Sequence, residues 1–228
     1  MNNYLILSHK SWNASLPNMM KSLFPNDTWS FINDKNDFNY ELVKEINPQY
    51  IFIPHWSYYI PEQIYSNFEC IVFHMTDLPF GRGGSPLQNL IARDIETTKI
   101  SAIKVTEEID AGDIYLKKDL NLNGTAEEVF LRANKVVAIA ITEIIEKGMQ
   151  PVPQEGESTL FVRRTPEMSN IATDQIIDLE SLFDHIRMLD AEGYPHAYLE
   201  TNHFKIEFTR ASLKANQSII ADVRITKK

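Results

Sequence analysis

Two side chains able to move a proton stand at comparable places in this sequence. His74 closes the apolar run Cys70-Ile71-Val72-Phe73, and Asp110 follows 36 residues later in the acidic turn Glu107-Glu108-Ile109-Asp110-Ala111-Gly112-Asp113. A neutral imidazole near its ordinary pKa can take the proton that an attacking nitrogen sheds. A neighbouring carboxylate can orient the ring, favour its protonated form or hold a water in the proton path, and the spacing does not choose among these roles. Each residue also has an ordinary reading. A histidine at a strand end can be a hydrogen-bonded loop residue, and Asp110 near Gly112 can form a turn through its carboxylate. The segment Gly81-Arg82-Gly83-Gly84 could cradle a phosphate, but it lacks the terminal lysine and hydroxyl residue of a phosphate loop and does not match the dinucleotide fingerprint. The six histidines are dispersed, without the spacing of a metal site.

The elements that must position these residues read as an alternating α/β chain. Tyr4-Leu5-Ile6-Leu7, Ile51-Phe52-Ile53 and Cys70-Ile71-Val72-Phe73 are short continuous apolar runs, as expected of strands buried on both faces. The last two open into Pro54-His55-Trp56 and His74, and ligands of open α/β sheets bind outside the carboxyl ends of strands. A helix is expected within 11–28, a second short strand at Phe31-Ile32 and a helical segment over 39–45 before Asn47-Pro48. Ser85 and Pro86 suit the cap and first residue of a helix through Ile91 or Arg93. A strand is expected over 100–105 and another extended segment from Ile114. Thr125 and Glu128 have capping-box spacing ahead of a long helix carrying Val129, Ala133, Val136, Ala140 and Ile144, which Gly148 stops. A linker over 149–158 precedes a helix at 178–189 and an alternating strand at 204–208.

The 228 residues suffice for one core and a small appendage. With 22 Lys and Arg against 31 Asp and Glu the formal charge is -9, which argues against nonspecific nucleic-acid binding. The single cysteine, Cys70, cannot form an internal disulfide and fits a packing role in a reducing compartment. Neither a signal peptide nor an apolar stretch of about 20 residues is present, which points to the cytoplasm.

The combination His74-Met75-Thr76-Asp77-Leu78-Pro79-Phe80-Gly81-Arg82-Gly83-Gly84-Ser85-Pro86, followed 24 residues after Pro86 by Asp110-Ala111-Gly112-Asp113-Ile114, resembles the formyltransferase family that uses 10-formyltetrahydrofolate. The resemblance covers roughly residues 50 to 148. It implies an α/β fold with a Rossmann-like formyltransferase core over 1–158 and a small C-terminal α+β appendage over 159–228. His74 and Asp110 take the positions of the catalytic histidine and aspartate. The family's asparagine, two residues before the histidine, is Val72 here. An alkyl group cannot donate to the formyl oxygen as it gains negative charge, so His55 is the expected replacement donor, with loss of activity as the other reading.

By the same resemblance Trp56, Ile109, Ala111, Gly112 and Asp113 would contact the folate cofactor. Thr76, Arg82, Gly83, Ser85, Arg163 and Arg164 are the candidate acceptor contacts, the three arginines because guanidinium groups match a diphosphate, with a structural or solvent-facing role open for each of those three, and no metal is required. The tail, with Phe161-Val162-Arg163-Arg164-Thr165-Pro166 and Phe183-Asp184-His185-Ile186-Arg187, looks like that of sugar N-formyltransferases. The implied acceptor is then a nucleotide-linked amino sugar of the pseudaminic acid type, with glycinamide ribonucleotide, another small amine, or noncatalytic ligand binding as alternatives. No nucleic-acid or membrane partner is expected, and the C-terminal strand could join a homodimer.

Overall fold

The computed structural model describes residues 1–228. Along the chain run β1 (Asn3–Ser8), α1 (Leu16–Leu23), β2 (Thr28–Ile32), α2 (Tyr40–Ile46), β3 (Tyr50–His55), α3 (Glu62–Tyr65), β4 (Cys70–His74), β5 (Arg82–Gly83), α4 (Pro86–Ile91), β6 (Thr97–Lys104) and β7 (Ile114–Asn121). They are followed by α5 (Ala126–Lys147), β8 (Leu160–Phe161), α6 (Leu179–Arg187), β9 (Ala197–Glu200), β10 (Phe204–Lys214) and β11 (Ser218–Lys227). The chain divides into two compact units. The first holds Met1–Gly83, Thr98–Leu120 and Leu131–Leu160, and the second holds Gly84–Thr97, Asn121–Phe130 and Phe161–Lys228.

The first unit is built on a six-stranded sheet of order β2-β1-β3-β4-β6-β7. The first four strands are parallel, and β6 runs antiparallel to β4. The apolar runs predict this well: Tyr4 to Leu7 and Ile51 to Ile53 are at most 1% exposed, as strands covered on both faces must be. Period-two alternation sends Leu5, Leu7, Ile51 and Ile53 to one face, where they meet Val43, Ile64 and Cys70. Tyr4, Trp29 and Phe52 form a ring cluster on the sheet. Asn39 caps α2 by accepting from the Leu42 amide, and Asn47 ends it in the left-handed conformation. Pro17 lies in the first turn of α1, where it costs no hydrogen bond.

The second unit contains the antiparallel sheet β11-β10-β9, with α6 against β10. Asp178 and Ser181 form a reciprocal capping box on α6. The buried Arg187 of that helix binds Asp184 and donates to the carbonyls of Leu122 and Gly124, so it knits this unit together. Thr125 and Glu128 exchange the expected capping bonds.

Several boundaries move. β2 starts at Thr28 and β6 at Thr97, because exposed polar residues at edges and ends pair through their backbone regardless of side chain. β10 extends to Lys214 and is followed by β11, a strand not anticipated.

Candidate active site

His74 is the last residue of β4, 7% exposed, and its ring is fixed from both sides. Nε2 lies 2.8 Å from the Gly81 carbonyl oxygen. A carbonyl can only accept, so Nε2 carries a proton. Nδ1 is thereby the nitrogen left to gain and lose a proton, and it faces Asp110 Oδ2 at 3.4 Å. The Thr76 hydroxyl also donates to the Gly81 carbonyl, and Ser101 binds the Thr76 backbone. Thr76 is fully buried, beneath the loop that holds the histidine.

Asp110 reaches His74 from the loop between β6 and β7. Its φ is +54°, a left-handed conformation that aspartate tolerates better than most residues. Oδ2 also accepts from the Gly83 amide at 2.9 Å, and Gly83 itself has φ +101°. The glycine is therefore what lets the backbone present that N–H. Gly112 has a different reason: a Cβ there would lie 1.8 Å from the Lys104 carbonyl oxygen. Its missing side chain faces the scaffold of the turn.

Two residues of this site, Gln154 and Thr159, were not among those expected from the sequence. Gln154, in the expected linker, donates from Nε2 to the carbonyls of Asp110 and Gly112, both at 2.8 Å. Its Oε1 accepts from Arg82 Nε and Nη2 at 3.2 and 2.9 Å. Each end of the amide meets partners of one kind only, which fixes its orientation. Arg82 also pairs with the exposed Glu108 at 3.1 Å. Thr159 accepts from the Gly81 amide through its hydroxyl at 2.7 Å. Gln154 and Thr159 sit in extended chain without periodic apolar residues, so only the cluster Pro151-Val152-Pro153 hints at a segment held straight.

His55 and Trp56 join a ring cluster at the carboxyl ends of β1 and β3. His55 stands edge-on to Trp12 and His9, and Trp56 to His9, Phe38 and Tyr58. Burial, with Lys10 and His9 nearby, pushes the His55 imidazole down to about 3, so it is neutral near pH 7 and retains one N–H. Trp56 Nε1 and His9 Nδ1 are buried without a hydrogen-bond partner. Val72 pairs with Ile103 in the β4–β6 ladder and packs on the core.

The remaining expected contacts lie in the second unit. Ser85 has φ +53° and its side chain does not cap α4; instead its hydroxyl accepts from the Arg164 amide at 3.1 Å. Arg164 donates to the Met168 carbonyl, and its Nε is buried without a partner. Arg163 is exposed, with its backbone close to Gly84. A cleft of about 340 Å³ lined by Tyr50, Glu69, Lys104 and Tyr115 opens at the amino ends of β3 and β4, away from His74. Its Glu69 is already bound by Lys104 and Tyr115.

A protein from Clostridium thermocellum described as a methionyl-tRNA formyltransferase is 52% identical, covers 100% of both chains and superimposes with a TM-score of 0.96. This chain belongs to the 10-formyltetrahydrofolate-dependent formyltransferase family. The methionyl-tRNA formyltransferase of Rickettsia prowazekii is 32% identical over 78% of this chain and 59% of its own length. The chain spans about three fifths of the curated relatives it matches. A family described as "Methionyl-tRNA formyltransferase, C-terminal domain" matches residues 166–226. A sugar N-formyltransferase from a Shewanella species superimposes at TM-score 0.68 with 18% identity, covering 97% of this chain and 96% of that one, a likeness of fold alone. The Rossmann-like core and C-terminal α+β region of this family member are thus those its sequence implied.

The finer assignment is corrected. The resemblance to sugar N-formyltransferases, the nucleotide-linked amino sugar of the pseudaminic acid type and the exclusion of nucleic acid do not stand. The full-length relative and the curated ones are described as tRNA enzymes, and so is the family that matches the tail. Averaging charge over the chain concealed a basic end. Residues 204–228 of this formyltransferase-family chain carry six Lys and Arg against two acidic residues.

Proposed function

We propose that the chain transfers a formyl group from 10-formyltetrahydrofolate to a primary amine, and that this amine belongs to the methionyl group of a charged tRNA. The observation that carries the reaction is the His74–Asp110 pair at 3.4 Å, with the Nε2 proton of His74 committed to Gly81. The folate would supply the formyl group in activated form. The residues fit such a ligand: Ile109 is half-exposed beside Asp110, and the partnerless Trp56 Nε1 and His9 Nδ1 are what a polar heteroaromatic group would satisfy. Trp56, Ile109, Ala111, Gly112 and Asp113 would hold it, Gly112 through its backbone.

The chain's own part is proton handling and placement. An attacking nitrogen must lose a proton, and Nδ1 of His74 is the ring atom available to take it. Asp110, with Oδ2 3.4 Å from Nδ1, offsets the resulting charge. Gly83 and Gln154 keep the carboxylate and its turn in place. His55 stands neutral at a neighbouring strand end. The tRNA acceptor is supported by the descriptions of the relatives and by the basic β10–β11 hairpin, which suits phosphate. A reduced, buried Cys70 and the lack of any helix long and apolar enough to cross a membrane support work in the cytoplasm.

Incubation with 10-formyltetrahydrofolate and methionyl-tRNA, read by mass spectrometry, tests the assignment. Formylated methionyl-tRNA is expected, formed far more slowly by Asp110→Asn. A folded protein that binds the folate but leaves the methionyl amine unmodified would refute the acceptor. Val72 favours a second reading, a folate-binding protein without turnover, which failure with every amine tried would select.

A further inference from the structure

We propose that Thr159 is a positioning residue that sets which ring nitrogen of His74 is basic, by clamping the Gly81–Arg82 peptide whose carbonyl faces Nε2. This role rests on the formyl-transfer reading of the His74–Asp110 pair. In a trans peptide the C=O and the N–H point to opposite sides. The Gly81 carbonyl is turned toward His74 Nε2 at 2.8 Å, so the Arg82 N–H is turned away from the ring, where it donates to the Thr159 carbonyl at 2.9 Å. The preceding peptide is held by the same residue. Gly81 is buried, its N–H needs an acceptor, and it donates to the Thr159 hydroxyl at 2.7 Å. The Thr159 N–H donates in turn to the Pro79 carbonyl at 3.2 Å. The amide, the hydroxyl and the carbonyl of Thr159 thus all bind residues 79–82, and two of these bonds grip the peptides on either side of Gly81.

The clamp sits where the chain can turn. Gly81 has φ +76° and no Cβ, so a rotation of the Gly81–Arg82 plane meets little steric resistance at that residue. The rotation would bring the Arg82 N–H to face Nε2 in place of the carbonyl. A donor there leaves Nε2 the acceptor's part alone, and the neutral ring then carries its proton on Nδ1, pointed at Asp110 Oδ2 3.4 Å away. The nitrogen that must take a proton from the acceptor amine would already hold one, and the open lone pair would lie against the backbone. One peptide plane therefore separates a basic Nδ1 from a blocked one. The other bonds of the loop do not choose between these states. The Thr76 hydroxyl, 3.4 Å from the Gly81 oxygen, can donate or accept, and Gln154 holds the Arg82 side chain through its guanidinium.

Of the three bonds only the hydroxyl's can be removed by substitution. Thr159→Val keeps the shape of the side chain and deletes the acceptor of the Gly81 N–H, while Thr159→Ser keeps that acceptor. Side-chain nitrogen NMR of the full chain with labelled histidine, at a pH where the ring is neutral, reports which nitrogen of His74 carries the proton. His74→Gln identifies its signals among the six histidines. The native chain and Thr159→Ser are expected to hold the proton on Nε2, and Thr159→Val to shift it toward Nδ1. Formyl transfer to methionyl-tRNA should fall about 10- to 100-fold in kcat in the valine variant with KM nearly unchanged, and stay within about twofold of native in the serine variant. Should Thr159→Val not fold, Thr159→Ala removes the same oxygen without setting a methyl group against the N–H. The clamp is overturned by a native His74 with its proton on Nδ1, by a valine variant with native kcat, or by one that loses activity with the proton still on Nε2. The spectra need neither folate nor acceptor, so they test the clamp on their own, whereas a native chain that formylates no amine refutes the formyl-transfer reading.

Discussion

Gln154 donates its side-chain amide to the Asp110 carbonyl while its oxygen holds Arg82, so one residue joins the turn carrying the proposed carboxylate to the strand that approaches it. Gln154→Ala removes two donors and an acceptor from a half-buried network. At about 0.5–1.5 kcal/mol for each of the four bonds, the expected loss is roughly 2–6 kcal/mol of stability. Displacement of Asp110 should lower kcat by about 10- to 100-fold with little change in KM, since the bonds position a group and do not touch the acceptor. Denaturant unfolding and steady-state kinetics on the same variant check both.

Asp110→Asn separates charge from shape. Asparagine also tolerates φ +54° and can still accept from the Gly83 amide, so the turn and the unfolding midpoint should be nearly unchanged. Without the carboxylate charge beside Nδ1, formyl transfer should fall by about 10²- to 10⁴-fold. A variant that keeps near-native kcat would remove Asp110 from the chemistry.

How much of this was legible in the sequence depends on the distance over which each feature is decided. The buried strands around Leu5, Phe52 and Ile71 and the capping box at Thr125 follow from a few adjacent residues, and they stand where expected. The His74–Asp110 pair was legible from the motif resemblance and not from the sheet: β6 runs antiparallel to β4, and Asp110 reaches His74 from the loop that follows β6. Gln154 was not legible, because its role arises from a return of the chain beside the 110–112 turn, and nothing in Pro153-Gln154 encodes that neighbour. Ser85 shows the converse. Its type and position predict a helix cap, yet the Arg164 amide competes for the hydroxyl and wins. The acceptor was misread because the whole-chain charge says nothing of where the charge sits, and the basic hairpin is only a ninth or so of the chain.

Gly112→Ala tests whether the Asp-x-Gly turn is scaffold. The added Cβ would meet the Lys104 carbonyl oxygen at 1.8 Å and its carbon at 2.9 Å, and backbone atoms cannot rotate aside. The turn must shift, at a cost of roughly 2–3 kcal/mol. Thermal unfolding should register the loss, and activity should fall with it as Asp110 moves off His74.

Acid should destabilise the fold through histidines held neutral. Burial lowers the His9, His55 and His185 imidazoles, His55 to about 3; Lys10 adds to this at His9, and both Lys10 and His9 add to it at His55. The unfolded chain binds protons at these groups below about pH 6.5 and the native chain does not. Their contribution is therefore complete above that pH and declines as pH falls below it, for His55 until about 3, by at most about 1.4 kcal/mol per pH unit for each histidine. Urea unfolding between about pH 7.5 and about pH 5 should show the decline. His55→Gln should flatten it by the share of one proton; an unchanged slope would place the titration elsewhere.

The basic hairpin makes the tRNA acceptor testable apart from catalysis. Within 204–228, Lys205, Arg210, Lys214, Arg224, Lys227 and Lys228 outnumber Glu207 and Asp222, with Lys228 paired to Glu200 of β9, in a chain whose net charge of -9 otherwise repels a polyanion. This local patch is where phosphate contacts are expected, and each such contact releases condensed counterions. Lys214→Ala and Lys227→Ala should each weaken tRNA binding several-fold and reduce the slope of log affinity against log salt by about 1. Affinity for the folate should be unchanged in both, because neither residue belongs to the unit that holds His74 and Asp110. If the salt slope is the same in both variants as in the native chain, the hairpin does not meet the phosphates, and the tRNA reading loses its physical support in this protein.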